Sequence, residues 1–129
     1  MGIYAASIVE QLRASVPGLE SEVRPVSFDP TLTDLWMWAD FGPDVCVSFS
    51  GVQGPVRVMA DEYVFDHVPE AVLGEFLARL YSGPLAVASQ HFLGRRSLRV
   101  EISLHGQTWS AMRDLTGEPH DWERAGDTR

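Results

Sequence analysis

The chain has no lysine and no asparagine, one cysteine, three isoleucines and no apolar run long enough to cross a bilayer. Each absence excludes something. With Cys46 alone there is no internal disulfide, so the pattern is not that of a stapled secreted domain. A membrane-spanning helix needs roughly 18 or more apolar residues in succession. The N-terminal stretch 1–16 lacks a basic n-region and breaks its apolar run at Glu10 and Arg13, and Ala6 stands where a myristoylation signal wants Ser or Thr. Cytoplasm is therefore the expected compartment. Lysine, asparagine and isoleucine are the residues of A/T-rich codons, so their scarcity points to a GC-rich, bacterial genome.

What is present is ordinary globular material with an uneven charge. The 129 residues are 45% hydrophobic and 22% charged, with a formal net charge of −8. That balance excludes disorder, which needs low hydrophobicity together with high net charge. Residues 1–70 hold eleven acids against Arg13, Arg24 and Arg57, whereas residues 71–129 hold seven acids and seven arginines. An acidic half argues against nucleic acid and against an anionic membrane surface, both of which reward positive charge. It suits a soluble protein whose partner, if it has one, is basic.

Periodicity places a helix over residues 3–16, with Ala5, Ile8, Val9, Leu12 and Val16 on one stripe and Pro17-Gly18 stopping it. A second helix falls at 69–82, with Val72, Leu73, Phe76, Leu77 and Leu80 on its stripe and Gly83-Pro84 as the exit. Period-two patterns predict strands at 23–28 (ended by Asp29-Pro30), 34–41, 45–50, 56–60, 85–93, 98–104 and 107–113. Gly51 to Pro55 reads as a loop. His105-Gly106 suits a two-residue hairpin turn, which would pair Leu104 with Gln107, Ile102 with Trp109 and Val100 with Ala111. The expected fold is α+β, a two-layer sandwich of about six mostly antiparallel strands and two helices in the order α-β-β-β-β-α-β-β-β. Residues 1–113 form the expected single domain, and the polar stretch 114–129 is expected to be a loose tail. The same coarse element order occurs in secretion-chaperone-like folds, an analogy of order alone.

Catalytic signatures are thin. No serine sits in a nucleophile elbow, and Gly51 and Gly54 lie between strands rather than before a helix, so phosphate cradling is not indicated. Cys46 alternates with Val45 and Val47 and reads as a half-buried strand residue without a basic neighbour. Asp61, Glu62, Asp66 and His67 are the one cluster suited to acid/base or metal chemistry, but they lack EF-hand or H-E-x-x-H spacing. They read otherwise as a polar connection into the second helix. His91, His105 and His120 share no ligand-like interval, so no metal and no cofactor is expected. Arg95, Arg96 and Arg99 suit either an anion grip or a solvated turn that protects a sheet edge.

The segment 34–41 is the most informative. In a strand, Leu35, Met37, Ala39 and Phe41 point one way, while Asp34, Trp36, Trp38 and Asp40 point the other. If the first set is core, two tryptophans framed by acids stand on an open sheet face, the composition in which binding energy concentrates. The expected partner-facing set is Asp34, Trp36, Trp38, Asp40, Asp61 and Glu62. The expected function is a non-enzymatic protein-binding domain, an inhibitor- or immunity-type protein covering a basic partner such as a toxin. The alternatives are a small enzyme or ligand-binding fold using the Asp61–His67 cluster, and a secretion-type chaperone; a homodimer is left open.

Overall fold

A computed structural model describes residues 2–26, 29–40, 42–49, 55–83, 85–125 and 127–128. Phe41, residues 27–28 of the expected first strand and most of the expected loop 51–55 lie outside them. Helix α1 (Gly2–Arg13) is followed by strands β1 (Glu20–Val26), β2 (Asp29–Trp38), β3 (Val45–Phe49), β4 (Val56–Ala60) and β5 (Tyr63–Val68). Then come α2 (Glu70–Ser82), β6 (Ala86–Phe92), β7 (Arg95–Leu104), β8 (Gln107–Asp114), the short helix α3 (Asp121–Ala125) and β9 (Asp127–Thr128). The fold is α+β and mostly strand.

Two ladders organise it. β1 to β5 form a five-stranded antiparallel meander, and the second sheet has the order β8-β7-β6-β9, with only β9 parallel to its neighbour. β5 lies against β8 without a ladder between them, and the Trp109 indole on β8 donates to the carbonyl of His67 on β5. The mostly antiparallel α+β arrangement is the expected one, with nine strands in two sheets among the described residues where about six strands were expected. The inner positions of both sheets share one core with the helices. That core takes Leu35, Met37, Val45, Val47, Val58 and Phe65 from one sheet and Val87, Val100, Ile102 and Leu104 from the other. Ile8, Val9 and Leu12 of α1 and Leu73, Phe76, Leu77 and Leu80 of α2 close it from the helix side.

Start and stop signals act at both main helices. α2 begins after Pro69, which is extended, and ends at Gly83, whose N–H closes the last helical bond to the Arg79 carbonyl and whose φ of 68° is one that glycine adopts without strain. α1 ends at Arg13, three residues before the expected stop, because Ser15 and Val16 both return their N–H groups to the Leu12 carbonyl in a closing turn. Val16 nevertheless stays buried. The final hairpin has the expected register: Leu104 pairs with Gln107, Ile102 with Trp109 and Val100 with Ala111.

Three expectations are corrected. Asp29-Pro30 opens β2 rather than closing β1, and the ladder register shifts between Pro25 and Val26. A proline reads as a stop because it has no N–H to give; at the very start of a strand, next to a register shift, it is tolerated. Residues 61–68 are a tight turn plus β5, not a polar connection. Between the pairs Val56–Val68 and Val58–Phe65, Arg57 stands against both Asp66 and His67, and this bulge puts His67 at φ 59°. The inward phase therefore runs Tyr63, Phe65, Val68, which breaks the alternation that would have announced a strand. Finally, 115–124 is packed rather than loose: Leu115, Trp122 and Glu123 are buried.

Candidate functional site

One side of strand β2 is partly exposed. Leu35 and Met37 point into the core, while Trp36 and Trp38 are each 37% exposed on the opposite face. Register places Glu22 beside Trp36, Trp36 beside Cys46, Cys46 beside Met59, and Met59 beside Val64. An apolar row thus crosses four strands on the open face, with Val64 exposed at its far end. Acids border it. The Trp38 indole donates to Glu20 Oε2 at 2.9 Å, Glu22 takes Arg24 at 2.7 Å, and Asp34 accepts the Ser48 hydroxyl at 3.0 Å. The alternation of β2 makes this face: one residue of phase would have buried the tryptophans.

Cys46 lies in that row but is covered by its neighbours. Burial, reinforced by the Asp34 carboxylate, pushes its thiol up to about 11, so at neutral pH it carries no thiolate to attack or ligate with.

Beyond Trp38 the chain leads into a cleft of about 440 Å³ lined by Asp40, Gly42, Asp44, Asp61 and the segment 119–122. Asp61 organises it. At φ 50° it turns the chain between β4 and β5, its backbone N–H reaches the Asp44 carbonyl, and its carboxylate accepts from the Asp44 N–H at 3.1 Å and the Trp122 indole at 2.8 Å. Aspartate is among the residues that tolerate this left-handed geometry. The Tyr81 ring packs over Gly42, where an added Cβ would come within 2.6 Å of it. Burial, with Asp44 and Asp61 adding to it, raises the Tyr81 phenol well above its usual range. The Tyr81 hydroxyl and His120 Nε2 are both buried without a hydrogen-bond partner.

Behind the cleft is a polar centre that sequence reading missed. Glu123, 1% exposed, receives Arg113 Nε at 2.7 Å and Nη2 at 2.6 Å, the His120 N–H at 2.7 Å, and the Tyr63 hydroxyl. Burial alone would push the Glu123 carboxyl up, but Arg113, Tyr63 and the His120 amide outweigh it and hold it below the usual carboxylate range. Arg113 is held firmly charged by the same pair. Tyr63, buried and bonded to a carboxylate, is pushed far up. This centre anchors α3 and touches no open surface chemistry: its acceptors are filled. Nothing in the sequence marks Glu123 as different from the other acids of a polar stretch.

The expected partner-facing residues divide between the two places. Asp34, Trp36 and Trp38 share the open face; Asp40 and Asp61 line the cleft that begins two residues on. Glu62 stands at the cleft's border, 3.4 Å from Arg113 and 3.7 Å from His120. The alternative cluster comes apart. Asp61 and Glu62 precede β5, whereas Asp66 and His67 are near its other end, where Asp66 pairs with Arg57 at 2.7 Å. They do not make one site, because an extended strand separates them by about 3.3 Å per residue. Among the described residues no group of three or more His, Cys, Asp or Glu is arranged to hold a metal, and no helix is long and apolar enough to cross a membrane. Comparison with protein-family models, with curated proteins and with solved structures found no match.

Proposed function

We propose that this chain is a non-enzymatic protein-binding domain that covers a basic protein partner with the acidic, aromatic face of β1 and β2, as an inhibitor or immunity-type protein covers a toxin. The observation that carries the reading is the pair Trp36 and Trp38, partly exposed side by side and bordered by Glu20, Glu22 and Asp34. Tryptophan joins a large apolar area to a polar N–H and dominates binding hot spots. The acids steer a basic partner in and raise its association rate. The neighbouring cleft, with Asp40, Asp44, Asp61 and Asp121 on its walls, suits a lysine or arginine of that partner. Catalysis has less support, since Cys46 is held as a thiol and the Asp61–His67 acids are apart.

The test is partner binding by purified Trp36→Ala and Trp38→Ala variants, using a basic protein encoded beside this chain's gene and calorimetric titration. The reading expects a loss of about 2 kcal/mol or more for at least one variant, about 30-fold in Kd, with the fold intact. A second reading, a small-ligand cleft at Asp61 and His120, draws on the two unpartnered buried atoms, Tyr81 Oη and His120 Nε2. It expects cationic small molecules to stabilise the wild type but not Asp61→Asn, with both tryptophan variants responding as wild type does.

A further inference from the structure

The two glycine-containing hairpin turns of the second sheet have the same backbone and opposite chemistry. His105-Gly106, joining β7 to β8, has φ of 51° and 80°; Leu93-Gly94, joining β6 to β7, has φ of 52° and 78°. Both are positive-φ pairs of the kind that suits a two-residue hairpin, where Asn, Asp, His or Gly is favoured at the first place and a bulky apolar residue is an outlier. Leu93 is nevertheless there, 87% exposed, beside Phe92 at 77%. An exposed leucine in left-handed geometry is unfavourable twice, for backbone and for solvation, and such strain persists where a surface has a use for it.

The tip also carries positive charge. Arg13, Arg24, Arg57, Arg99, Arg113 and Arg124 each meet a carboxylate. Arg95 and Arg96, immediately after the turn, form no ion pair among the described residues, and neither does Arg79. Phe92, Leu93, Arg95 and Arg96 thus make an apolar point flanked by two arginines that form no ion pair among the described residues. On the same chain, Trp36 and Trp38 make an apolar face bordered by Glu20, Glu22 and Asp34. Apolar meets apolar and charge meets opposite charge.

We propose that the occupant of the Phe92–Leu93 tip is a second copy of this chain, the tip of one copy seating on the Trp36/Trp38 face of the other. The contact shares that face with the proposed function and competes with the partner for it, but it needs no partner, so the purified protein alone tests it. One tip covers little area, and the association is accordingly weak and salt-sensitive. Two reciprocal contacts about a two-fold axis would close a dimer.

Sedimentation velocity from 1 µM to 1 mM reads the result. The expected outcome is a weight-average mass that rises above 14.3 kDa with concentration and rises less in 0.5 M salt. Leu93→Asn keeps a residue suited to the turn, so it folds, and it should weaken association at least tenfold. Arg95→Glu/Arg96→Glu should be monomeric alone and should associate again when mixed with Glu20→Arg/Glu22→Arg. Wild-type protein that stays monomeric at 1 mM, association unaltered by Leu93→Asn, or a charge-swapped mixture that stays monomeric overturns the proposal. So does tip-dependent binding to phosphatidylglycerol vesicles without self-association, which would assign the tip to a membrane surface. A lost partner affinity in the tryptophan variants with no self-association in the wild type would leave the proposed function standing and this inference refuted.

Discussion

Glu22 and Glu123 each take an arginine, and the fold uses the two pairs in opposite ways. Glu22 meets Arg24 at 2.7 Å in the open, on an edge strand beside Trp36. Glu123 meets Arg113 through both carboxylate oxygens in the interior, with Tyr63 and the His120 amide filling the remaining acceptors. An exposed pair is screened by water and adds little to stability. A buried pair is different: its net gain over a hydrophobic substitute is small, but removing one partner leaves an uncompensated charge. The interior acid belongs to the architecture, whereas the acids around Trp36 and Trp38 contribute little to it, and in the proposed function they act on the partner instead.

Cutting each region separately should break the symmetry of the two pairs. Glu123→Ala strands Arg113 and should destabilise folding by about 3–5 kcal/mol in chemical denaturation, while Glu22→Ala should leave the midpoint unchanged. Equal effects would contradict the division. pH sharpens the same contrast. Because the folded Glu123 carboxyl is held below its unfolded value of 4.5, its stabilisation is complete above that value and lost as pH falls through the lowered one. Wild type should therefore lose stability on acidification below about pH 4.5 more steeply than Glu123→Gln, in thermal melts across pH 3–6.

The apolar residues of β2 repeat the contrast. Leu35→Ala should cost about 2–5 kcal/mol of folding stability, and Trp36→Ala on the other face roughly 1 kcal/mol or less, the scale of a cross-strand pair. A Trp36→Ala loss as large as that of Leu35→Ala would make Trp36 a core residue in all but exposure. The smallest effect concerns Cys46. Its covered thiol, with a pKa near 11, should react slowly with a disulfide reagent at pH 7.5, and Trp36→Ala should speed the reaction by uncovering it.

How much of this was legible beforehand follows from which signals were local. Both main helices, the register of the last hairpin and the two faces of β2 came from periodicity and from Gly and Pro at the right offsets, all readable within about ten residues. β5 was hidden because the bulge at Asp66-His67 shifts its phase, and acids flank its turn. The Arg113–Glu123–Tyr63 centre was hidden for a stronger reason. Its members come from three separate segments, up to 60 residues apart, and each looks like an ordinary surface residue until the fold buries it. Of the expected site, Asp34, Trp36 and Trp38 share one face as the alternation implied, and Asp40 and Asp61 share the cleft. That Asp66 and His67 stand apart from Asp61 depended on the unseen strand.

The central claim is that the Trp36/Trp38 face is built for a partner and not for the fold. Denaturation midpoints and partner Kd values, measured on the same preparations of Trp36→Ala and Trp38→Ala, test it most directly. The account predicts midpoints close to wild type together with a Kd weakened about 30-fold or more in at least one variant. Variants that unfold, or that fold and bind the basic partner with wild-type affinity, would contradict it.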